Sequence, residues 1–128
     1  MYLIDTDIIV FALRKHPGVT GRLREEASQP KAISVVTYGE LLYGAGKSRH
    51  PQANLAKVRR MVELFPVVEV SSPVIETFAA LKASLERKGS RLDDFDLLIA
   101  STALTMNYRL VTNNERHFRR IPGLAIEN

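Results

Sequence analysis

Apolar runs only two to four residues long recur along this chain, and stretches of helical periodicity separate them. Tyr2-Leu3-Ile4, Ala32-Ile33-Ser34, Val67 to Val70, Leu110-Val111 and Leu124 to Ile126 read as short strands, the last of them at an edge. Between them apolar residues repeat every three to four positions. Thr6 can cap a first helix through Ile8, Ile9, Phe11 and Leu13, which His16-Pro17-Gly18 breaks. A second runs from Pro17 to Ala27. A third begins near Val35 and carries Tyr38, Leu41, Leu42 and Ala45. Gln52 to Phe65, Ser72-Pro73 to Lys88, and Asp93 to Asn107 follow, then a single turn through Phe118. Strands this short, each separated from the next by a helix, predict a mostly parallel sheet of four to five strands with helices on both faces. The expected architecture is a three-layer α/β/α domain spanning residues 1–128, with no repeats or linkers to divide it.

The composition excludes several chemistries. There is no cysteine, hence no disulfide framework, thiolate nucleophile or Cys-type zinc site. No apolar run approaches the roughly 18 residues that span a bilayer, so no membrane association is expected. The chain goes straight into its first strand without the basic start of a secretion signal, which predicts a cytoplasmic protein. The net charge of +4 favours polyanionic partners through phosphate contacts.

The carboxylates are where chemistry can gather. Asp5 ends the first strand, and open α/β sheets place ligands just outside the carboxyl ends of their strands. Glu40 lies one to two turns into the helix after the second strand. Asp96 sits in the first turn of the helix before the fourth strand, which ends at Thr112-Asn113-Asn114-Glu115. Each acid also has a structural role open to it. Asp5 and Asp7 can cap a helix, Thr37-x-x-Glu40 matches a capping box, and Asp93 can be an N-cap with Asp96 favoured by the helix dipole. If the strand tips bring these acids together, mutual repulsion calls for a cation, and hard oxygen ligands select Mg²⁺ or Mn²⁺. Such ions activate water and steady a phosphoryl transition state. Periodicity alone leaves open whether Asp96, which precedes its strand, reaches the same edge.

Five segments, in order and over essentially the full length, carry a resemblance. They are Ile4-Asp5-Thr6-Asp7, Ser34-x-x-Thr37-x-x-Glu40-Leu41-x-x-Gly44, Asp96-x-x-Ile99-Ala100, Val111-Thr112-Asn113-Asn114 and Phe118-x-x-Ile121-Pro122-Gly123. Together the set resembles PIN-domain proteins, and more narrowly the VapC toxins of VapBC toxin–antitoxin pairs. The resemblance implies a Mg²⁺-dependent endoribonuclease, with Mn²⁺ as the other candidate ion, that blocks translation by cutting tRNA, rRNA or mRNA. It implies Asp5, Glu40 and Asp96 as the active site, with Asp5 and Asp96 on the metal, and it puts the helix bearing Asp96 over the sheet edge. It further implies a VapB antitoxin as partner and a homodimer, for which the apolar faces around Leu41, Leu42 and Leu55 are candidate surfaces. The family pattern has a fourth acid near the end of the fourth strand. This chain departs there, offering Asn114, Glu115 or His117.

The neighbours of these residues have more ordinary expectations. Asp7 is expected to cap or point outward, and Asp93 and Asp94 to serve as helix caps or to support the site. Arg14, Lys15, Lys47, Arg49, Arg87, Lys88, Arg91 and Arg116 can grip an RNA backbone or simply be solvated. Tyr38 and Tyr43 can stack on a base or pack in a core. Two rival functions are weighed beside the nuclease. One is a catalytically degenerate PIN fold that binds RNA or protein. The other is a haloacid-dehalogenase-type phosphatase that uses Asp5-Thr6-Asp7 as a D-x-D motif and needs a downstream acidic pair.

Overall fold

The computed structural model describes residues 1–14 and 30–128. The helix expected over Pro17 to Ala27 and the basic residue Lys15 lie outside the described residues. Strand β1 (Tyr2–Ile4) leads into α1 (Thr6–Leu13). Then come β2 (Lys31–Ser34), α2 (Val35–Gly46), α3 (Pro51–Val62), β3 (Val67–Val68), α4 (Ser72–Arg87), α5 (Asp94–Met106), β4 (Arg109–Val111), α6 (Glu115–Phe118) and β5 (Ile126–Glu127). The five strands form one sheet in the order β3-β2-β1-β4-β5. All four pairings are parallel, so the sheet is wholly rather than mostly parallel. β1 lies at the centre, with Leu3 opposite both Ala32 and Leu110 and Ile4 opposite Val111.

Side chains alternate across a strand, and here both sets are apolar. Leu3, Ala32 and Leu110 face one layer, where they pack with Leu85 of α4, with Leu97, Ala100 and Ala103 of α5, and with Phe118 of α6. Ile4 and Ile33 face the other, with Ile8 and Ile9 of α1, Leu41 and Ala45 of α2, and Val58 of α3. A strand buried on both faces reads as a continuous apolar run, which is why three residues suffice to mark β1. Leu41 is buried in this second layer, and Leu42 and Leu55 pack against it. The expected apolar docking face therefore belongs largely to the core. Tyr38 packs there too, whereas Tyr43 is exposed, with Lys47 Nζ 4.8 Å from its ring centroid.

The helix ends decide where the strand tips point. Asp5, rather than Thr6, is the N-cap of α1. Ser34 caps α2, its hydroxyl accepting from Val36 N at 3.0 Å, so Thr37 and Glu40 lie inside that helix and form no capping box. Asp93 caps α5 by accepting from Phe95 N, which puts Asp96 in the first turn. At the far end of α5, Asn107 takes the left-handed conformation (φ 56°) and Tyr108 N donates back to Ala103 O. That closure turns the chain sharply into β4. α3 and β3 are shorter than expected, ending at Val62 and Val68: a turn replaces the last residues of the helical run, and Glu69 and Val70 lie outside the strand.

Phe118 is fully buried and anchors α6 to the sheet. Phe118→Ala is expected to destabilise the domain by about 3–5 kcal/mol, read as a lower urea midpoint with an unchanged slope.

Candidate active site

Asp5 is the most buried carboxylate of the site, 5% exposed. Two donors hold it. Thr6 N at the start of α1 gives to Oδ1 at 2.8 Å, and the Thr112 hydroxyl just beyond β4 gives to Oδ2 at 2.8 Å. Thr112 is itself fixed, because its hydroxyl accepts from Asn114 N at 2.9 Å. Glu40 comes in from α2. Its Oε1 accepts from the Thr6 hydroxyl at 2.7 Å, and that hydroxyl stands 3.0 Å from Thr37 Oγ1. Thr6 thus serves both carboxylates, through its backbone for Asp5 and its side chain for Glu40.

Asp7, expected to cap or to point outward, does neither, since Asp5 is the cap of α1. It is half-buried, its Oδ2 accepts from Asn113 N at 3.2 Å, and its Oδ1 is buried with no hydrogen-bond partner among the described residues. Asp94 leaves the site for Lys82, 2.9 Å away. The three residues offered for the fourth position have different partners. Glu115 turns to Arg119 at 3.4 Å. His117 turns inward, its Nδ1 lying 3.0 Å from Asn114 Nδ2 and 3.8 Å from Asp96 Oδ2. Sequence reasoning left three residues open here because a one-turn helix has no periodicity to choose a face. The threonines Thr6, Thr37 and Thr112 were not singled out for the site. Their signal was placement alone: Thr6 follows Asp5 at the start of α1, Thr37 precedes Glu40 by one turn in α2, and Thr112 lies just past the end of β4.

All four central carboxylates are pushed towards the protonated form. Burial is the main cause for each. For Asp5 the donors Thr112 and Thr6 oppose it. For Asp7 burial and then the charge of Asp5 raise the pKa to about 6. Burial raises Glu40 against the opposing Thr6 hydroxyl, with added repulsion from Asp5 and Asp93. Asp96 is raised to about 6 by burial, then by Asp5, Asp93 and Glu40. The acids therefore feel one another across the strand tips, as only a shared cleft allows. Lys82 and Arg119 pair with Asp94 and Glu115 rather than with this cluster, where His117 Nδ1 stands 3.8 Å from Asp96.

The donor set suits a hard divalent cation. It is rich in oxygen, and among the described residues the buried Oδ1 of Asp7 has no hydrogen-bond partner, a place a cation would fill. Among the described residues no three Asp, Glu, His or Cys side chains already converge as ligands of one ion. The Thr6 and Thr112 hydroxyls draw oxygens of Glu40 and Asp5 towards the protein instead.

The comparison with known proteins agrees with the fold. The PIN domain family model matches residues 2–124. The chain belongs to the PIN-domain family. Within it the chain is similar to Ribonuclease VapC2 of Rickettsia felis, 36% identical over 100% of this chain and 97% of that protein. It is 35% identical to the tRNA(fMet)-specific endonuclease VapC of Shigella flexneri, over 99% of this chain and 96% of that one. The crystal structure of VapBC2 from Rickettsia felis bound to a promoter DNA fragment superposes with a TM-score of 0.93, at 36% identity, covering 99% of this chain and 97% of that one. DNA-bound VapBC from Salmonella typhimurium gives 0.92 at 34% identity, covering 98% and 96%. In a PIN domain the phosphatase reading of Asp5-Thr6-Asp7 falls. Its required acidic pair is also spoken for, since Asp93 caps α5 and Asp94 pairs with Lys82.

The raised carboxylates set a pH dependence. Asp7 and Asp96 hold protons more tightly folded than unfolded, where the ordinary value is 3.8. Their contribution to stability is complete below that value and is lost as pH rises through about 6. In EDTA, the melting temperature is expected to fall across this window and level off above it. Asp7→Asn should shrink the fall, and added Mn²⁺ at pH 7.5 should recover it.

Proposed function

We propose that this chain is the toxin of a VapBC-type toxin–antitoxin pair, a divalent-metal-dependent endoribonuclease that inhibits translation. The observation that supports the reading is that Asp5, Glu40 and Asp96, from three separate elements of a PIN domain, lie close enough for the charges of Asp5 and Glu40 to raise Asp96. When bound, a Mg²⁺ or Mn²⁺ ion would supply the positive charge and the Lewis acidity that phosphodiester hydrolysis needs. Asp5 and Asp96 are assigned to hold it, with Glu40 acting directly or through water. Burial of Asp5 keeps bulk solvent off its oxygens. The hydroxyl of Thr6 orients Glu40, and Thr112 orients Asp5, so that each presents its remaining lone pairs to the cleft.

The substrate side has its own support. A groove of about 520 Å³ opens beside Glu40, lined by Arg14, Lys47 and Lys57 together with Ser48 and Asn54. Cations flanking an acidic centre can hold a phosphate backbone while the scissile group lies over the carboxylates. Exposed Tyr43 stands near Lys47 at the same side. A relative named for cleavage of tRNA(fMet) makes a tRNA the first substrate to try. The VapBC complexes formed by similar proteins support a VapB-type antitoxin as the inhibitory partner, and a homodimer of the toxin is proposed with it. Among the described residues no helix is long and apolar enough to cross a membrane, which accords with action on cytoplasmic RNA.

The test is to map RNA ends after brief induction. Wild type should generate new ends and arrest growth. Asp5→Asn and Asp96→Asn should each lower cleavage by at least about 100-fold, the scale of losing a main electrostatic group from an active site. An Asp5→Ala protein that is as toxic as wild type would mean that this cleft does not cut, and the degenerate binding module would stand in its place.

A further inference from the structure

Helix α2 carries Glu40 on its outer face, and Tyr43 stands at the middle of that face. At about 100° per residue, Gly39 and Gly46 fall to one side of Tyr43, and Glu40, Gly44 and Lys47 to the other. Tyr43 is 68% exposed, a large ring left in solvent one turn beyond Glu40. Lys47 Nζ lies 4.8 Å from its centroid, within range of a cation–π contact that steadies the ring. A ring so exposed adds little to the core, but one held in place is ready to be stacked on.

The glycines point the same way. Glycine inside a helix costs stability relative to alanine, and Gly39, Gly44 and Gly46 all lie in α2. None of them takes the left-handed conformation that would require glycine. A Cβ added at any of the three would meet no atom within 4 Å. Nothing among the described residues therefore asks for glycine here, whereas a bare helix backbone lets a ligand approach closely.

The groove beside this face decides what approaches. Glu40, Gly44 and Lys47 line it, and Arg14 and Lys57 add charge to its wall. Cationic walls with an aromatic ring at the edge suit a nucleic-acid strand, whose phosphates follow the charges while a base stacks on the ring. An acidic peptide would use the cations and leave the ring uncovered.

Resting on the reading of this cleft as a ribonuclease site, we propose that Tyr43 and Lys47 form a nucleotide subsite on α2. An unpaired base close to the cleaved bond stacks on the Tyr43 ring, against the bare helix backbone beside it, and its phosphate meets Lys47. A base held in a duplex cannot offer its face to the ring.

The experiment keeps the full chain in EDTA, so that RNA is bound and left uncut. The probe is a short unstructured RNA carrying 2-aminopurine, whose fluorescence falls when the base stacks. Wild type should bind and quench it, and should bind the same strand in a duplex more weakly. Tyr43→Phe keeps the ring and should match wild type within about twofold. Tyr43→Leu should lose the quenching and about tenfold in affinity, the scale of one base–aromatic stack, with its salt dependence unchanged. Lys47→Met should instead lower the slope of affinity against salt by about one. Gly39→Ala and Gly44→Ala should each raise the melting temperature by about 2–5 °C. Both should nevertheless weaken RNA binding about fivefold, the scale of overfilling a packed site. A face with a purely structural role gives the first effect without the second. Tyr43→Leu that binds and quenches like wild type overturns the proposal. So does a change in its oligomeric state with RNA binding untouched, which would make this face a contact between copies. Wild type that cuts RNA with Mn²⁺ but shows no quenching in EDTA overturns the subsite and leaves the ribonuclease reading standing. If wild type neither binds nor cuts, the ribonuclease reading falls and the subsite goes with it.

Discussion

Asp5 accepts two hydrogen bonds, one from the first backbone amide of α1 and one from the hydroxyl of Thr112 just past β4, and most of the structure around the sheet edge follows from that pair. A carboxylate buried as deeply as this costs several kcal/mol unless its oxygens are satisfied. The first donor comes from a helix that the sheet alone would not hold in place, and the second from a residue that the ladder to β5 already positions through its backbone, Thr112 N donating to Glu127 O at 3.0 Å. Accepting from Thr6 N fixes the direction in which α1 leaves β1. Accepting from Thr112 ties the tip of β1 to the tip of β4 beyond the last ladder bond, from Asp5 N to Val111 O at 2.9 Å. The charge is thus both a structural clamp and the innermost group of the site.

The remaining groups are carried outward from that clamp by hydroxyls. Thr6 passes from Asp5 to Glu40, and Thr112 passes from Asp5 to Asn114 and so to His117 and Asp96. Hydroxyls suit this work because each can give to one partner and accept from another. They add no charge, so the repulsion among the acids is not relieved. The protein keeps carboxylates that would rather be protonated and accepts the lost stability. Functional sites commonly carry such local cost, offset by packing elsewhere. Here the offset is the double-faced core, in which Leu3 and Ile4 of the same strand each bury completely.

The sheet was legible because its strands are buried on both faces, so that even three residues stand out as uninterrupted apolar runs. The helices were legible from their periodicity, and their caps less so. The capping box at Thr37 and Glu40 is a sound local pattern, but Ser34, three residues earlier and wholly buried, already holds the helix start. Asp5 and Glu40 could be placed near one edge by strand order alone. Asp96 could not, since only the packing of Leu97, Ala100 and Ala103 against the sheet brings the start of α5 over that edge. Asp7 and His117 were misjudged or left open for a related reason. Whether a side chain next to a strand tip turns in or out depends on partners distant in sequence. For Asp7 that partner is the amide of Asn113, 106 residues away.

The charge distribution gives the acidic cleft its sense. A protein of net charge +4 gathers Asp5, Asp7, Glu40 and Asp96 where β1 and β4 end, with basic groups beside them, Arg14, Lys47 and Lys57 along the groove next to Glu40. A phosphate backbone is drawn to the groove and repelled by the cleft. Flanking cations alone therefore produce binding without reaction, since the scissile phosphate avoids the carboxylates that should act on it. Neutralising the cleft removes that barrier and, by the same electrostatics, draws the four acids back towards their ionised form. The cost that Asp7 and Asp96 impose on the free protein and the affinity of the cleft for a cation are then one free energy seen from two sides. Any change that relieves the first, such as removing a carboxylate, weakens the second.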